Sequence, residues 1–223
     1  MPYIHFDNVA FYYRDVWGKK TSDALCRADF RIEQGKVLCL LGPNGSGKSS
    51  IIKLLMGFME PTGGAIIRPK GIRMAYVGDG GRNLYPNMSL RENLQYICSL
   101  RGIKQRFGMN EELDRLGIMF NLEKADAPVS SLSRGMRQKA SIICALMLPH
   151  DYLVADEPTL GLDWNSQMQF ESMVRCEKGV GRGVCIATND NAMADRISDM
   201  SVIVTQKGLK EVSADACHDR FRA

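Results

Sequence analysis

No stretch of the 223 residues approaches the ~20 consecutive apolar residues that a membrane-spanning helix needs. The start, "MPYIHFDNVAFYY", lacks the basic opening and apolar centre of a secretory signal, so the chain is expected to stay in the cytoplasm. No run of five like charges occurs, and the net charge of +4 is weak and dispersed. The charges therefore read as a solvated surface, and no nucleic-acid partner is expected. The seven cysteines (Cys26, Cys39, Cys98, Cys144, Cys176, Cys185, Cys217) never fall at CxxC spacing, which argues against a zinc or dithiol framework. Several sit inside apolar runs such as "VLCLL" and "IICALML", where cysteine behaves as a small hydrophobe. Repeats, low-complexity tracts and linker-like composition breaks are absent as well.

What is there is an ordinary globular composition, 45% apolar and 24% charged. A chain of this length buries roughly 70 to 75% of its unfolded surface, enough for one α/β domain with an appended lobe. Strand-like runs come first, "YIHFDNV" and "CRADFRI", followed by a β-loop-α unit around "LGPNGSGKSS". From Ser89 to about Leu148 the apolar residues recur at i, i+3 and i+4, in "SLRENLQYICSLRG", "EELDRLGIMF" and "SRGMRQKASIICALML". Strand and helix then alternate through "YLVAD", "NSQMQFESMVRCE", "GVCIAT", "NAMADRI" and "SVIVT", which indicates a parallel sheet with right-handed crossovers. The spacing thus predicts a single domain over 1–223, with a core at 1–78 and 149–223 and a helical lobe inserted at about 79–148. "ADACHDRFRA" is expected to close the chain as a short helix.

The stretch Leu41–Ser50 carries the first chemistry. Gly42, Gly47, Lys48 and Ser49 follow the G-x-x-x-x-G-K-[ST] pattern between a strand and a helix, the context that gives the pattern its meaning. Glycines let the backbone turn tightly, so that successive N–H groups of Gly42, Pro43, Asn44, Gly45, Ser46, Gly47, Lys48, Ser49 and Ser50, proline excepted, converge on phosphate oxygens at the helix N-terminus. Lys48 adds a point charge for the β and γ phosphates. Ser49 offers a hydroxyl oxygen to Mg²⁺, a hard cation that prefers oxygen ligands. The bland alternative is a glycine-rich turn with a surface lysine. Kinases, GTPases and transport ATPases all share such a cradle.

Two more stretches narrow the choice. "YLVADEPTLGLD" (Tyr152 to Asp163) is an apolar strand ending in adjacent carboxylates, and "LSRGMRQK" (Leu132 to Lys139) opens a helix. Together with "LGPNGSGKSS", in this order and at about these separations, they resemble the ATP-binding cassette (ABC) family over nearly the whole chain. The resemblance implies an α/β P-loop NTPase fold of the ABC nucleotide-binding type, a RecA-like mixed-sheet core with an inserted helical lobe. It implies ATP and Mg²⁺ as cofactors. Asp156 then stands as the Walker B aspartate, a metal residue with Ser49, and Glu157 as the catalytic base that orients the attacking water. Leu132, Ser133, Arg134, Gly135 and Met136 match the signature motif, which in this family meets the nucleotide held by a partner cassette. Asp163 closes the D-loop. Tyr13 stands where the family places an aromatic residue on adenine, although Tyr12 or Trp17 could serve instead.

Two departures from the family pattern stand out. No glutamine lies between Gly78 and Leu94, where the family has one that touches Mg²⁺ and senses the membrane subunit. Asp79 is nearest to that place and could supply a carboxylate oxygen. After "GVCIA", where a histidine usually meets the γ-phosphate, the chain has Thr188, Asn189 and Asp190. Asn189 donates one N–H but cannot become a cation, so slow hydrolysis is expected. The implied partners are a second cassette, identical or not, and an integral membrane permease, with the chain peripheral on the cytoplasmic face of the cell membrane. "RNLYPNMSLRENLQYICSLRGI" resembles export cassettes. The segment from Asp79 to Gly102, with Arg91 and Glu92, is expected to carry the permease-docking surface. Two other readings stay open: a degenerate cassette that regulates a more active partner, and a soluble non-transport ATPase.

Overall fold

A computed structural model describes residues 2–104, 109–122, 126–205 and 208–213. The expected terminal helix and Cys217 lie outside them. Two sheets organise the chain. The first is antiparallel, in the order β2-β1-β4, from β1 (Tyr3–Arg14), β2 (Lys20–Glu33) and β4 (Gly63–Ile67). The hairpin between β1 and β2 is closed by Asp15, whose carboxylate accepts the N–H groups of Trp17 and Lys19 at 3.0 and 2.8 Å. That turn leaves Trp17 almost wholly exposed at its tip.

The second sheet runs β5 (Met74–Val77), β6 (Tyr152–Asp156), β7 (Gly183–Thr188), β3 (Val37–Leu41), β8 (Met200–Thr205) and β9 (Gly208–Ser213). Its first five strands are parallel, and β9 joins antiparallel at the edge. Every residue of β3, β6 and β7 is buried, as near-continuous apolar strands covered on both faces must be. Alternation along β3 divides the core in two. Leu38 and Leu40 face the antiparallel sheet and α1 (Lys48–Leu55), packing with Phe6, Phe30, Ile51 and Leu55. Val37, Cys39 and Leu41 face the remaining helices, packing with Ile142, Phe170 and Ile197.

Between β5 and β6 lie α2 (Leu90–Leu100), α3 (Met109–Met119) and α4 (Arg134–Met147); after β6 come α5 (Trp164–Gly179) and α6 (Asn191–Ile197). A capping box starts α2: Ser89 accepts from the Glu92 amide at 3.2 Å, and Glu92 accepts from the Ser89 amide at 2.8 Å. Cys39, Cys98, Cys144 and Cys185 are buried, as small apolar residues would be, and burial pushes the Cys144 thiol up to about 12. Among the described residues no helix is long and apolar enough to cross a membrane.

Candidate functional site

The C-terminal ends of the parallel strands collect the reactive side chains, where loops leave β3, β5, β6 and β7. The loop after β3 is locked by close backbone packing. Gly47 has φ 107°, and a Cβ there would lie 2.4 Å from the Ala24 carbonyl; a Cβ on Gly42 would lie 2.4 Å from that of Val204. Only glycine fits against those carbonyls. Pro43, Asn44, Gly45 and Ser46 complete the turn into α1, and Ser46 Oγ is buried with no hydrogen-bond partner among the described residues. A backbone cradle shaped by glycines, with a buried hydroxyl inside it, suits a bound phosphate chain.

Lys48 is 5% exposed. Its ammonium donates to the Gly42 and Pro43 carbonyls at 2.7 and 3.3 Å and stands 3.4 Å from Glu157 Oε1. Ser49 Oγ donates to Asp156 Oδ1 at 3.1 Å, joining the first turn of α1 to the end of β6. Burial raises the Asp156 pKa above the usual carboxylate range and the Asp79 charge adds to it, while the Ser49 hydrogen bond and Lys48 and Lys53 oppose the shift. Among the described residues no group of three or more His, Cys, Asp or Glu is arranged to hold a metal ion unaided. Two hard oxygens, from Ser49 and Asp156, nevertheless fit Mg²⁺, which takes few protein ligands and completes its shell from nucleotide phosphates and water.

Glu157 sits in the left-handed region at φ 46°, pinned by its N–H donating to the Ala187 carbonyl at 2.8 Å. Such a backbone costs on the order of 1–3 kcal/mol outside glycine and persists where the surroundings fix it. Burial also raises the Glu157 pKa; Lys48 and the Asn189 backbone amide pull it back. The Glu157 carboxylate and the Lys48 ammonium therefore face each other. Asn189 is exposed on the loop after β7, and its neighbour Asp190 caps α6 by accepting the Met193 amide at 2.9 Å.

Tyr13 lies beside the cradle. Its hydroxyl is 2.9 Å from Ser50 Oγ, its ring stands edge-on to Phe11, and it is 37% exposed. Tyr12 is instead engaged by Arg14 and Lys20, whose cations lie 5.0 and 5.3 Å from its ring centre. Of the three aromatic candidates, Tyr13 is the one bonded to the phosphate loop.

The remaining candidates cluster on α4. Ser133 caps it, accepting the Met136 amide at 3.2 Å, and the buried Leu132 gives its carbonyl to Arg137. Gly135 packs so closely on the D-loop that a Cβ would lie 2.7 Å from the Gly161 carbonyl. Asp163, at the D-loop end, is used within the chain: it accepts the Ser166 amide at 2.9 Å to cap α5 and pairs with Lys139 at 3.1 Å, which together hold its pKa down to about 2. Asp79 shares a cavity with Ser49, Asp156 and Glu157, yet its own carboxylate is bonded to Arg134 Nη2 at 3.1 Å. The structure also brings in Gln138, which sequence reasoning did not single out. Wholly buried on α4, it accepts the Gly80 amide at 2.7 Å. A lone glutamine on the apolar face of a helix was the available signal. Arg91 and Glu92 are likewise occupied within the chain, Arg91 by Asn110, Asp114 and Asp126 and Glu92 by the capping box.

The geometry defines a P-loop nucleotide-binding ATPase fold with a Walker A cradle, a Walker B carboxylate and an adjacent glutamate. The family model described as ABC transporter matches residues 25–160, and the chain belongs to that family. It is 31% identical to the zinc import ATP-binding protein ZnuC of Photobacterium profundum over 151 residues, covering 68% of this chain and 56% of that one. It is 32% identical to the probable multidrug ABC transporter ATP-binding protein YbhF of Escherichia coli over 178 residues, covering 73% of this chain and 30% of that one. The chain thus spans about half or less of these relatives' own lengths. A solved dimeric structure of a bacterial ABC transporter cassette superposes with a TM-score of 0.83, covering 95% of this chain and 98% of that one; at 22% identity this likeness speaks for the fold. ABC cassettes bind ATP, dimerise and work with membrane permeases.

Proposed function

We propose that this chain is the ATP-hydrolysing subunit of a transporter, docking beneath a separate membrane permease and driving export. The observation that carries the reading is the convergence of Lys48, Ser49, Asp156 and Glu157 at one end of the parallel sheet, with Lys48 and Glu157 3.4 Å apart. In the reaction Lys48 and the cradle amides bind and orient the phosphates. Ser49 and Asp156 are the residues that would hold Mg²⁺, which would supply neutralisation of the charge developing on the phosphates. Tyr13 stacks on the adenine. Glu157 accepts the proton of the attacking water, a role for which a pKa raised toward the working pH is favourable. Asn189 presents an N–H donor to the γ-phosphate in place of a cationic imidazole.

A second cassette, identical or not, supplies its signature motif to the same nucleotide, and Leu132, Ser133, Arg134, Gly135 and Met136 supply this chain's motif in return. The permease has a natural seat. A cavity of about 1260 Å³ is lined by Asp156 and Glu157 and also by the apolar Phe58, Tyr85, Ile97, Leu100 and Ile103. Because Arg91 and Glu92 are structural, Leu100, which is 65% exposed, is the sounder probe of docking.

The test is recovery of the tagged chain from detergent-solubilised native membranes, with ATP turnover measured on the complex. An integral membrane protein should co-purify, and Leu100→Glu should weaken its recovery while ATP affinity stays at the parent value. Recovery with ribosomes or DNA and no membrane protein would favour the soluble reading. Export is tested by loading inverted vesicles of the complex, in which substrate should accumulate inside on adding ATP. The exposed Asn189 and the engagement of Asp79 by Arg134 favour the degenerate-cassette reading as the alternative; recovery of a second, different cassette and no turnover by this one would establish it.

A further inference from the structure

The loop that leaves β5 is fastened to α4 at three points. Asp79 Oδ1 accepts from Arg134 Nη2 at 3.1 Å, the Gly80 amide donates to Gln138 Oε1 at 2.7 Å, and Gly81 lies so close that a Cβ would stand 2.8 Å from the Arg137 carbonyl. Arg134 is itself the first residue of α4, next to the Ser133 cap. A cavity of about 510 Å³ opens at this junction, lined by Arg82, Arg134 and Arg137, with Asp79 as the one carboxylate in its wall among the described residues. The Asp79 carboxylate is 27% exposed and the Arg134 side chain 55%, so the pair is reachable by solvent and by an incoming anion. Arg82 Nη2 stands farther off, at 4.0 Å.

A guanidinium satisfied by a carboxylate has less to offer a phosphate, since both anions compete for the same donors. We propose that Asp79 is a positioning residue: it holds Arg134 in the free cassette and competes with the partner-held γ-phosphate for that guanidinium, so that closing the sandwich exchanges one anion for the other. This rests on the reading of Leu132 to Met136 as the motif that meets a partner's nucleotide. It also gives Asp79 a role other than metal ligand. The Gly80–Gln138 bond and the Gly81 contact keep the loop seated on α4, so that the exchange at Arg134 frees the Asp79 side chain without releasing the loop.

The test uses the full chain carrying Glu157→Gln, which traps nucleotide, with Mg-ATP as the titrant and sedimentation as the readout. Asp79→Asn should lower the ATP concentration for half-dimerisation by about twofold to fivefold per site, the range expected for a partly exposed ion pair. Arg134→Gln should raise it, and Asp79→Asn added to Arg134→Gln should change nothing further, because the competitor acts only through the arginine. A midpoint that Asp79→Asn leaves unchanged or raises overturns the competition, and a rise accompanied by weaker Mg²⁺ dependence would make Asp79 a metal residue instead. Hydrogen exchange on the nucleotide-free chain tests the clamp without any dimer. Asp79→Asn should speed exchange severalfold at residues 79–82 and 134–138 while β3 and α1 keep their protection as the folding control; equal rates there overturn the clamp. If no form dimerises with Mg-ATP but the exchange result holds, the clamp stands and the sandwich reading fails.

Discussion

Two glycine-rich loops leave the same end of the parallel sheet, Gly42–Gly47 after β3 and Gly78–Gly81 after β5, and they are anchored to different things. The first is pressed against carbonyls of the two sheets, Ala24 of β2 and Val204 of β8. The second is pressed against Arg137 and bonded to Gln138, both on α4. Similar composition therefore yields a preorganised receptor in one case and a linkage in the other. What a glycine loop can do is decided by what its backbone touches, and here one loop is fixed by the two sheets and the other by α4, which under the proposed reading separates nucleotide binding from communication with the helices between β5 and β6.

The division is broken most severely by Lys48→Ala, which removes the cation from the cradle; calorimetry at micromolar ATP should show binding abolished, and undiminished binding would refute the phosphate site. Gly47→Ala is expected to follow closely, since its Cβ cannot coexist with the Ala24 carbonyl. Gly81→Ala should instead leave ATP affinity near the parent value and uncouple hydrolysis from the permease, measured as loss of permease-stimulated turnover. Equal loss of nucleotide binding in both glycine variants would show that the two loops are one unit. Asn189→His should raise steady-state phosphate release by about tenfold, the worth of one well-aimed hydrogen bond to a charged group; a variant no faster would favour the degenerate-cassette reading. The smallest effect is on pH. Glu157 must be ionised to act and burial raises its pKa, so turnover should fall as pH drops through a midpoint above the ordinary glutamate value. A midpoint at or below that value would mean that nucleotide binding or Lys48 outweighs burial.

The sequence was most legible where chemistry is local. The turn of the cradle and the Ser133 cap each lie within a few consecutive residues whose types favour the local backbone observed, and the Asp156–Glu157 pair stands at the end of a strand that its apolar run announces. The parallel alternation after Tyr152 was equally readable, because buried strands and amphipathic helices carry distinct periods. The separate antiparallel sheet was not: "YIHFDNV" and "CRADFRI" lengthen into β1 and β2 by pairing with each other, and "GAIIRPKGIRMAYV" divides into β4 and β5, which join different sheets. Pairing partners are set by tertiary contact and leave no mark in a local pattern. The same reason hid the use of Asp163 by Lys139 and of Asp79 by Arg134, residues 24 and 55 positions apart. Glu157's left-handed backbone is likewise imposed from outside, by the Ala187 carbonyl.

If Lys48 and the cradle bind ATP while Glu157 carries its hydrolysis, binding and chemistry separate in a single variant. Single-turnover phosphate release, measured beside nucleotide affinity for the parent and for Glu157→Gln in the presence of the permease and Mg²⁺, tests both halves at once. The expected result is equal ATP affinity and a rate lower by about 10²- to 10⁴-fold in the variant, the range for removal of a general base. Equal rates in the two proteins would contradict it.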